Sequence, residues 1–218
     1  MDRYDHDVSR RRGNPDHPTK AALLAAAVSL LDGRSPESIT LKDVLDESGV
    51  SSGSLYHHFG DLDNLIESAM VVRFARGVDW SIDVLSMALE QAKDSRDLAA
   101  RLHQVTVNTQ SQGQADVRKE RIQSIAHATT NERFRDSLAP EQQRLTNGIA
   151  EVWRQLQDQG LVSDQLDPRV GALFIQAYTL GVALNDITAD PVSDAAWIAM
   201  IDTVVDQVLI GLGPKNPA

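Results

Sequence analysis

The chain has 218 residues, enough for one or two domains with a buried core, and it contains no cysteine, which excludes disulfide scaffolds, cysteine-ligated zinc and thiol catalysis. Its formal net charge of −10 argues against a protein that coats nucleic acid by charge alone, although a sequence-specific reader needs only a local basic patch. No apolar run reaches the roughly 18 residues of a membrane span, and the polar N-terminus lacks the apolar segment of a secretory signal, so we expect a cytoplasmic protein with no membrane partner.

Residues 1–17 mix aspartates with Arg10, Arg11 and Arg12 and show no periodicity, which predicts a flexible arm. Two interpretations of this arm stay open. It is an inert tail, or its arginines touch DNA phosphates or enter a minor groove.

From Thr19 onward the apolar periodicity is helical and no alternating strand pattern occurs, which predicts an all-α fold. We expect Thr19 to cap a first helix that ends before Gly33. Thr40 is a good cap for the second helix, with Asp43 at the capping-box position, and Gly49 ends that helix in the left-handed conformation.

Ile39 and Val44 stand at the two positions of a hydrophobic staple around the second helix. Ser51 then caps a third helix with Leu55 and Phe59 one turn apart on its inner face. Gly60 ends this helix, and Asp61 caps a fourth.

The remainder of the chain predicts longer helices. We expect three of them over 79–93, 97–110 and 115–129. A fourth begins with Pro140 at its first position and runs to Asp158. Two more run from Pro168, after an Asp167 cap, to Ile187 and from a Ser193 cap to Ile210. The domain organisation is therefore an arm (1–17), an N-terminal three-helix unit (18–77) and a larger helical domain (78–218).

The segment from Ile39 to Phe59 predicts a helix-turn-helix, because two short helices joined by a glycine-containing turn are typical of that motif. If Leu55 and Phe59 point inward, the periodicity turns a face of small and hydrogen-bonding side chains outward. Such a face approaches a major groove closely and reaches phosphates or base edges. The alternative is that Tyr56, His57 and His58 are ordinary, partly exposed packing residues.

Residues 38–70 resemble the DNA-binding domain of TetR-type (tetracycline-repressor-like) transcriptional regulators, with the sequence SITLKDVLDESGVSSGSLYHHFGDLDNLIESAM. The most specific part, GVSSGSLYHHF, is close to the family pattern G-V-S-x-G-x-L-Y-x-H-F. The preceding TKAALLAAAVSLL fits the family's first helix. The resemblance covers about the first third of the chain, and the remainder is similar only in length and helical character.

This resemblance implies an N-terminal three-helix DNA-binding domain, followed by a helical ligand-binding and dimerisation domain. It makes 51–59 the recognition helix and implies phosphate or backbone contacts from Thr40, Tyr56 and His58. Together with the outward face, the candidate DNA-binding residues are Thr40, Lys42, Ser51, Ser52, Gly53, Tyr56, His57 and His58.

One position departs from the family pattern. The family usually places a phosphate-binding lysine three residues after the phenylalanine, whereas this chain has Leu62 there, between two aspartates. Lys20, Arg34, Lys42 and the arginines of the arm are the candidates to compensate.

The sequence contains no HExxH, no GxSxG at a strand-to-helix turn, no phosphate-binding loop and no GxGxxG after a strand. We therefore expect no enzyme, no cofactor and no metal site. His103 and His127 could in principle pair on a metal, but polar pocket residues or structural histidines fit them better.

The large aromatic residues of the second domain are more typical of a core than of a ligand cage, although pockets in helical domains open between helices. Candidate effector-binding residues are Asn108, His127, Trp153, Tyr178 and Asn185.

A single short recognition helix reads few base pairs, so we expect a homodimer on a palindromic site. The two final helices carry apolar stripes, and the family resemblance implies that they form a four-helix interface. Candidate interface residues are Phe174, Ala177, Gly181, Leu184, Trp197, Ile201, Val205 and Val208. The alternative assigns both stripes to the core of a single subunit.

These observations predict a DNA-binding regulator, by family habit a repressor that a small-molecule effector releases from its operator. The rival is an all-helical enzyme or adaptor whose N-terminal unit only resembles a helix-turn-helix.

Overall fold

A computed structural model describes residues 17–90 and 92–210, and it confirms the all-α prediction for them. The predicted arm, with Arg10 to Arg12, lies outside the described residues. The helices are α1 Pro18–Leu31, α2 Leu41–Ser48, α3 Ser52–Phe59, α4 Leu62–Leu89, α5 Ser95–Gln110, α6 Ala115–Thr130, α7 Glu132–Asp158, α8 Pro168–Gly181, α9 Ala183–Asp186 and α10 Asp194–Val204, which continues as a π-helix over Val205–Ile210.

The chain divides into two compact units inside α4: unit 1 ends at Met70 and unit 2 begins at Val71. The sequence placed a division after residue 77 instead. Because α4 runs through both positions, no break in secondary structure marks either one. None of the described helices is both long and apolar enough to cross a lipid bilayer.

Unit 1 is organised by α1, which packs against both α2 and α3. The capping box of Thr40 and Asp43 is present, and Gly49 has φ 66°, so the predicted limits of α2 are confirmed. The apolar residues buried in this unit are Leu23, Ala26, Ala27, Val28, Leu31, Ile39, Val44, Leu55, Leu65, Ile66 and Ala69.

The predicted cap of α1 is wrong, whereas the helix does end before Gly33 as predicted. His17 is the cap, and its Nδ1 accepts a hydrogen bond from the backbone N–H of Thr19 at 3.3 Å. Pro18 fills the first helical position, where a missing N–H costs nothing, and the cap therefore lies two residues upstream of Thr19. The helix ends at Asp32 in a right-handed conformation, so Gly33 does not serve as a left-handed terminator.

The helix predicted to begin at Asp79 is also wrong, because α4 is continuous over Leu62–Leu89. Residues 70–79 contain no proline, and the single Gly77 does not break the helix. The Asp79 carboxylate pairs with Arg144 instead of capping a helix.

Pro140 lies inside α7 rather than at its start. The cap is Asn131, whose Oδ1 accepts a hydrogen bond from the backbone N–H of Phe134 at 3.0 Å. Phe134 and Leu138 are both buried, so packing stabilises the helical turns upstream of the proline. This burial offsets the backbone hydrogen bond that a proline inside a helix removes.

Unit 2 contains α7 packed against α8, and α5 packed against α10. The predicted caps of the last two long helices are confirmed, with Asp167 before α8 and Ser193 before α10. At the crossing of α7 and α8, a Cβ added to Gly171 would lie 2.7 Å from the Trp153 ring. Glycine at this position therefore allows the two helices to approach closely.

Candidate functional site

The exposed face of α3 is the outward face that the sequence predicts. Ser52, Gly53 and His57 are exposed and Tyr56 is 54 % exposed, while Leu55 is fully buried. The predicted orientation is confirmed. The face offers hydroxyl, phenol and imidazole groups around a residue without a side chain.

Local interactions hold α3 in place at both ends. The Ser51 hydroxyl accepts a hydrogen bond from the backbone N–H of Ser54 at 3.4 Å, and Gly60 ends the helix with φ 84°. Val50 in the preceding turn is half-buried. The helix start thus keeps backbone N–H groups and a positive dipole end beside Ser51, which suits a phosphate.

Thr40 is exposed at the start of α2, but its hydroxyl is already engaged. Oγ1 donates to Oδ2 of Asp43 at 2.7 Å and accepts from the backbone N–H of Asp43 at 3.3 Å. A phosphate contact would require this O–H to turn away from Asp43.

The candidate phosphate-binding cations of unit 1 are each engaged within the unit. Lys42 pairs with Asp46, and this hydrogen bond raises the pKa of Lys42. Nζ of Lys20 lies 5.7 Å from the centroid of the Phe59 ring. Leu62, at the position of the family lysine, is half-buried.

Three histidine rings meet beside α3. The ring centroids of His17 and His58 are 4.8 Å apart, and those of His57 and His58 are 4.9 Å apart. Partial burial lowers the pKa of His58, and repulsion from His17 lowers it further. The lowered pKa favours the neutral imidazole, which offers one N–H donor and one nitrogen acceptor.

An apolar face on α8 is left exposed in the single chain. Leu173 is 61 % exposed and Leu184, on α9, is 73 % exposed. Phe174 and Ala177 are exposed on the same side, and Gly181 is half-buried. These residues do not belong to the core of their own subunit.

Two of the predicted interface residues near the C-terminal end of the described chain are core residues instead. Ile201 on α10 and Val205 at the start of the π-helix are 4 % and 5 % exposed, because both segments pack against α5. Trp197 is half-buried and its Nε1 donates to Oε1 of Gln110 at 3.1 Å. The side chain of Val208 lies outside the described residues.

Three of the five predicted effector residues make local structural contacts. The Asn185 amide bonds the backbone of Val192 through both its oxygen and its nitrogen. Asn108 is exposed and accepts a hydrogen bond from Gln104 at 3.1 Å. The His127 ring packs against Phe134 with centroids 4.8 Å apart.

The other two predicted effector residues are more enclosed. Trp153 is buried against Gly171. Burial raises the pKa of Tyr178, whose ring centroid is 5.6 Å from that of Phe174. Three of the five predicted residues thus make local contacts and two are enclosed. The assignment of all five to an effector site stays a prediction.

Sequence reasoning missed the buried polar residues of unit 2. Thr106, Gln110 and Arg118 are each at most 3 % exposed. No pattern in the sequence marks them, because polar residues on helices usually face water. His103 also has a partner that the sequence did not indicate, Oδ2 of Asp202 at 2.8 Å from its Nδ1.

Two protein-family models match the chain. The model for bacterial regulatory proteins of the tetR family matches residues 23–69. The model for the C-terminal part of BetI-type transcriptional repressors matches residues 99–210, which is half of the chain.

Curated relatives match the N-terminal part. The HTH-type transcriptional repressor KstR2 of Mycobacterium tuberculosis is 33 % identical over 81 residues, which cover 37 % of this chain and 34 % of the relative. KstR2 of Mycolicibacterium smegmatis is 34 % identical over 61 residues, which cover 26 % of this chain and 30 % of the relative. The matched segments span about a third of the length of these relatives.

Solved structures share the fold over most of the chain. A TetR-family regulator from Mesorhizobium loti has a TM-score of 0.66 at 16 % identity, covering 88 % of this chain and 96 % of that one. A transcriptional regulator from Saccharomonospora viridis, solved in complex with choline, has a TM-score of 0.62 at 20 % identity, covering 88 % and 98 %. GusR of Salmonella enterica has a TM-score of 0.59 at 19 % identity, covering 94 % and 100 %.

Proposed function

Since this chain belongs to the TetR family of bacterial regulatory proteins, we propose that it represses transcription by binding a palindromic operator as a homodimer, and that a small-molecule effector releases it. The observation that carries the proposal is the exposed face of α3. A helix surface facing water normally carries long charged side chains, whereas this one carries Ser52, Gly53, Tyr56 and His57.

In the proposed complex α3 lies in the major groove. Gly53 leaves room for close approach of the helix, and Tyr56 and His57 reach base edges or the sugar-phosphate backbone. Ser51 and the free N–H groups beside it hold a phosphate. Thr40 contributes a second phosphate contact if its hydroxyl turns away from Asp43, at the expense of one hydrogen bond.

The partner for the apolar face of α8 is a second copy of this chain. Contiguous exposed apolar side chains are rare on monomeric proteins and typical of interfaces. Leu173, Phe174 and Leu184 would supply buried area, while Ala177 and Gly181 would allow helices to approach closely. Two-fold pairing through this face would match the two-fold symmetry of a palindromic operator.

The proposed effector site lies in unit 2. The S. viridis regulator, which shares the fold, was solved in complex with choline, and this supports a small-molecule effector for this chain. We propose that effector binding changes the separation of the two recognition helices in the dimer. Release would follow because both half-sites can no longer be occupied together.

The test is fluorescence anisotropy with a labelled DNA fragment from upstream of the chain's own gene and a scrambled fragment of equal composition. We expect tight binding to the first fragment only. The slope of log affinity against log salt should be shallow, because Lys42 and Arg34 in the described part of unit 1 are already paired with carboxylates and so are less available to neutralise phosphates. Equal affinity for both fragments would contradict sequence-specific binding, and no binding to either would favour an enzyme or adaptor.

A further inference from the structure

Several buried side chains of unit 2 have N–H donors without a hydrogen-bond acceptor. Among the described residues, the buried side-chain polar atoms without a hydrogen-bond partner are all donors: Nε2 of Gln110, Nε and Nη2 of Arg118, Nη2 of Arg121 and Nε1 of Trp153. An unpaired buried donor is costly, and most buried polar groups in proteins are satisfied. The deficit is therefore one of acceptors, which is what a ligand rich in oxygen atoms supplies.

The guanidinium of Arg118 has a defined orientation, with one nitrogen bonded and two unpaired. It is 3 % exposed, and its Nη1 donates to the backbone carbonyls of Thr109 at 2.9 Å and Ser111 at 3.0 Å. These two bonds fix the guanidinium plane against the end of α5. Nε and Nη2 are left without a hydrogen-bond partner. They lie along one edge of the planar guanidinium, and the spacing of their N–H groups matches the two oxygens of a carboxylate.

The charge of Arg118 is not balanced by a close partner. Within the part of the chain that the structure describes, its carboxylate contact is Oδ2 of Asp186, at 3.9 Å from Nη2, which is too long for a hydrogen bond. The Asp186 side chain is one-third exposed and retains contact with water. A buried guanidinium at this distance from a hydrated carboxylate favours any anion that can approach more closely.

Gln110, which lies between Thr109 and Ser111 in the chain, carries a further unpaired buried donor, Nε2. It is 2 % exposed, and its Oε1 accepts the hydrogen bond from Trp197, which orients the amide and leaves Nε2 as a free donor. Arg121 follows Arg118 by one turn of α6, with its guanidinium carbon 5.8 Å from the Phe74 ring centroid. Arg121 is half-buried with an unpaired, buried Nη2, and its positive charge adds to that of Arg118 in attracting anions and repelling cations.

We propose that the effector of this regulator carries a carboxylate, which Arg118 binds through Nε and Nη2 with Nε2 of Gln110 as a further donor. This inference rests on the proposed function, since it names the chemical class of the effector. The incoming carboxylate replaces Asp186 as the nearest anion to the guanidinium. A cationic ligand such as choline is disfavoured at this position by the charges of Arg118 and Arg121.

The test is an NMR titration of the full-length protein labelled with ¹⁵N-arginine, in which the Arg118 Nε–H signal is assigned through its side-chain correlations to the backbone. Sodium acetate serves as a small carboxylate probe and is compared with sodium chloride and choline chloride at equal ionic strength. We expect a saturable downfield shift of the Arg118 signal with acetate and no saturable shift with either chloride salt. An Arg118 signal that ignores acetate, or that responds equally to chloride, would overturn the proposal.

Two variants separate a ligand site from an internal ion pair. Asp186→Asn removes the competing carboxylate and should tighten acetate binding a few-fold. If Asp186 is instead the true partner of Arg118, this substitution moves the Nε–H signal without acetate and the parent protein does not respond, which overturns the proposal. Arg118→Lys should abolish saturable acetate binding, measured on the remaining arginine signals, whereas the surface variant Arg154→Lys should retain it.

The same samples distinguish this inference from the function on which it rests. Operator binding by the parent protein in chloride tests the repressor function and does not involve acetate. Operator binding combined with an unmoved Arg118 signal would refute the carboxylate site alone. A saturable Arg118 shift in a protein that binds no operator would refute the repressor function and leave the carboxylate site standing.

Discussion

Nη2 of Arg34 donates a 2.9 Å hydrogen bond to Oδ2 of Asp43, the same oxygen that accepts from the backbone N–H and the hydroxyl of Thr40. One carboxylate oxygen thus joins the segment after α1 to the start of α2. Arg34 also donates to the backbone carbonyl of Ser38, so it spans this connection. The arrangement fixes where the helix-turn-helix begins, and it withdraws Arg34 from the set of cations free to bind phosphate.

The first prediction concerns the acid stability of unit 1. The hydrogen bonds from Arg34 and Thr40 hold the pKa of Asp43 well below its usual range. The folded state therefore binds this proton more weakly than the unfolded state, so the stabilisation is present above the unfolded pKa of about 4 and is lost as the pH falls through the lower folded value. Asp43→Asn should have a lower melting temperature than the parent near neutral pH, and the difference should shrink as the pH falls below about 4.

Thermal unfolding followed by circular dichroism over this pH range checks the prediction. The matched control is Asp63→Asn, at an exposed position in the first turn of α4. A melting-temperature deficit of Asp43→Asn that does not change with pH would show that the carboxylate charge is not the source of the stabilisation.

The second prediction concerns Tyr56. Tyr56→Ala should weaken operator binding by about 1–3 kcal/mol, the usual range for loss of a specific contact. The fold should persist, because Leu55 is the fully buried residue of α3. Anisotropy titrations measure the affinity, and Tyr56→Phe serves as the matched variant that removes only the hydroxyl. If Tyr56→Ala and His57→Ala both bind the operator as the parent does, α3 does not read the DNA through this face.

The third prediction concerns the dimer. Leu173→Glu places a charge in the middle of the exposed apolar face of α8 and should give a folded monomer, since Leu173 is 61 % exposed in the single chain. Met87→Glu, at a position 72 % exposed on α4, is the matched control and should remain dimeric. Sedimentation velocity at micromolar concentration reads the outcome. A folded parent protein that sediments as a monomer would refute the dimer proposal.

The fourth prediction concerns the crossing of α7 and α8. Gly171→Ala should destabilise the protein by about 1–3 kcal/mol, because the new methyl group would meet the buried Trp153 ring at 2.7 Å. Gly77→Ala is the matched control in α4, where no atom lies within 4 Å of the added Cβ. It should be neutral or stabilising by up to about 1 kcal/mol, as expected for glycine to alanine in a helix. Guanidinium unfolding measures both, and equal stabilities would mean that the two helices separate without cost.

Local chemistry let the sequence predict much of unit 1. The capping box of Thr40 and Asp43, the left-handed Gly49 and the outward turn of Tyr56 each depend on residues within one or two helical turns. Such interactions form in the same way whatever the rest of the chain does. The start predicted at Pro140 is wrong for the complementary reason: Phe134 and Leu138 are buried, and this burial outweighs the local preference of proline for a helix start.

Only the tertiary structure decided which apolar and polar side chains are enclosed. The stripes around Leu173 and Ile201 are equally apolar in sequence, yet the first faces outward and the second is buried by α5, because burial depends on which helix lies opposite. From the sequence, Arg118 is expected to lie on the solvent-exposed side of a helix. Its enclosure beside the carbonyls of Thr109 and Ser111 depends on the turn that the chain makes between α5 and α6, which the pattern of residues along either helix does not contain.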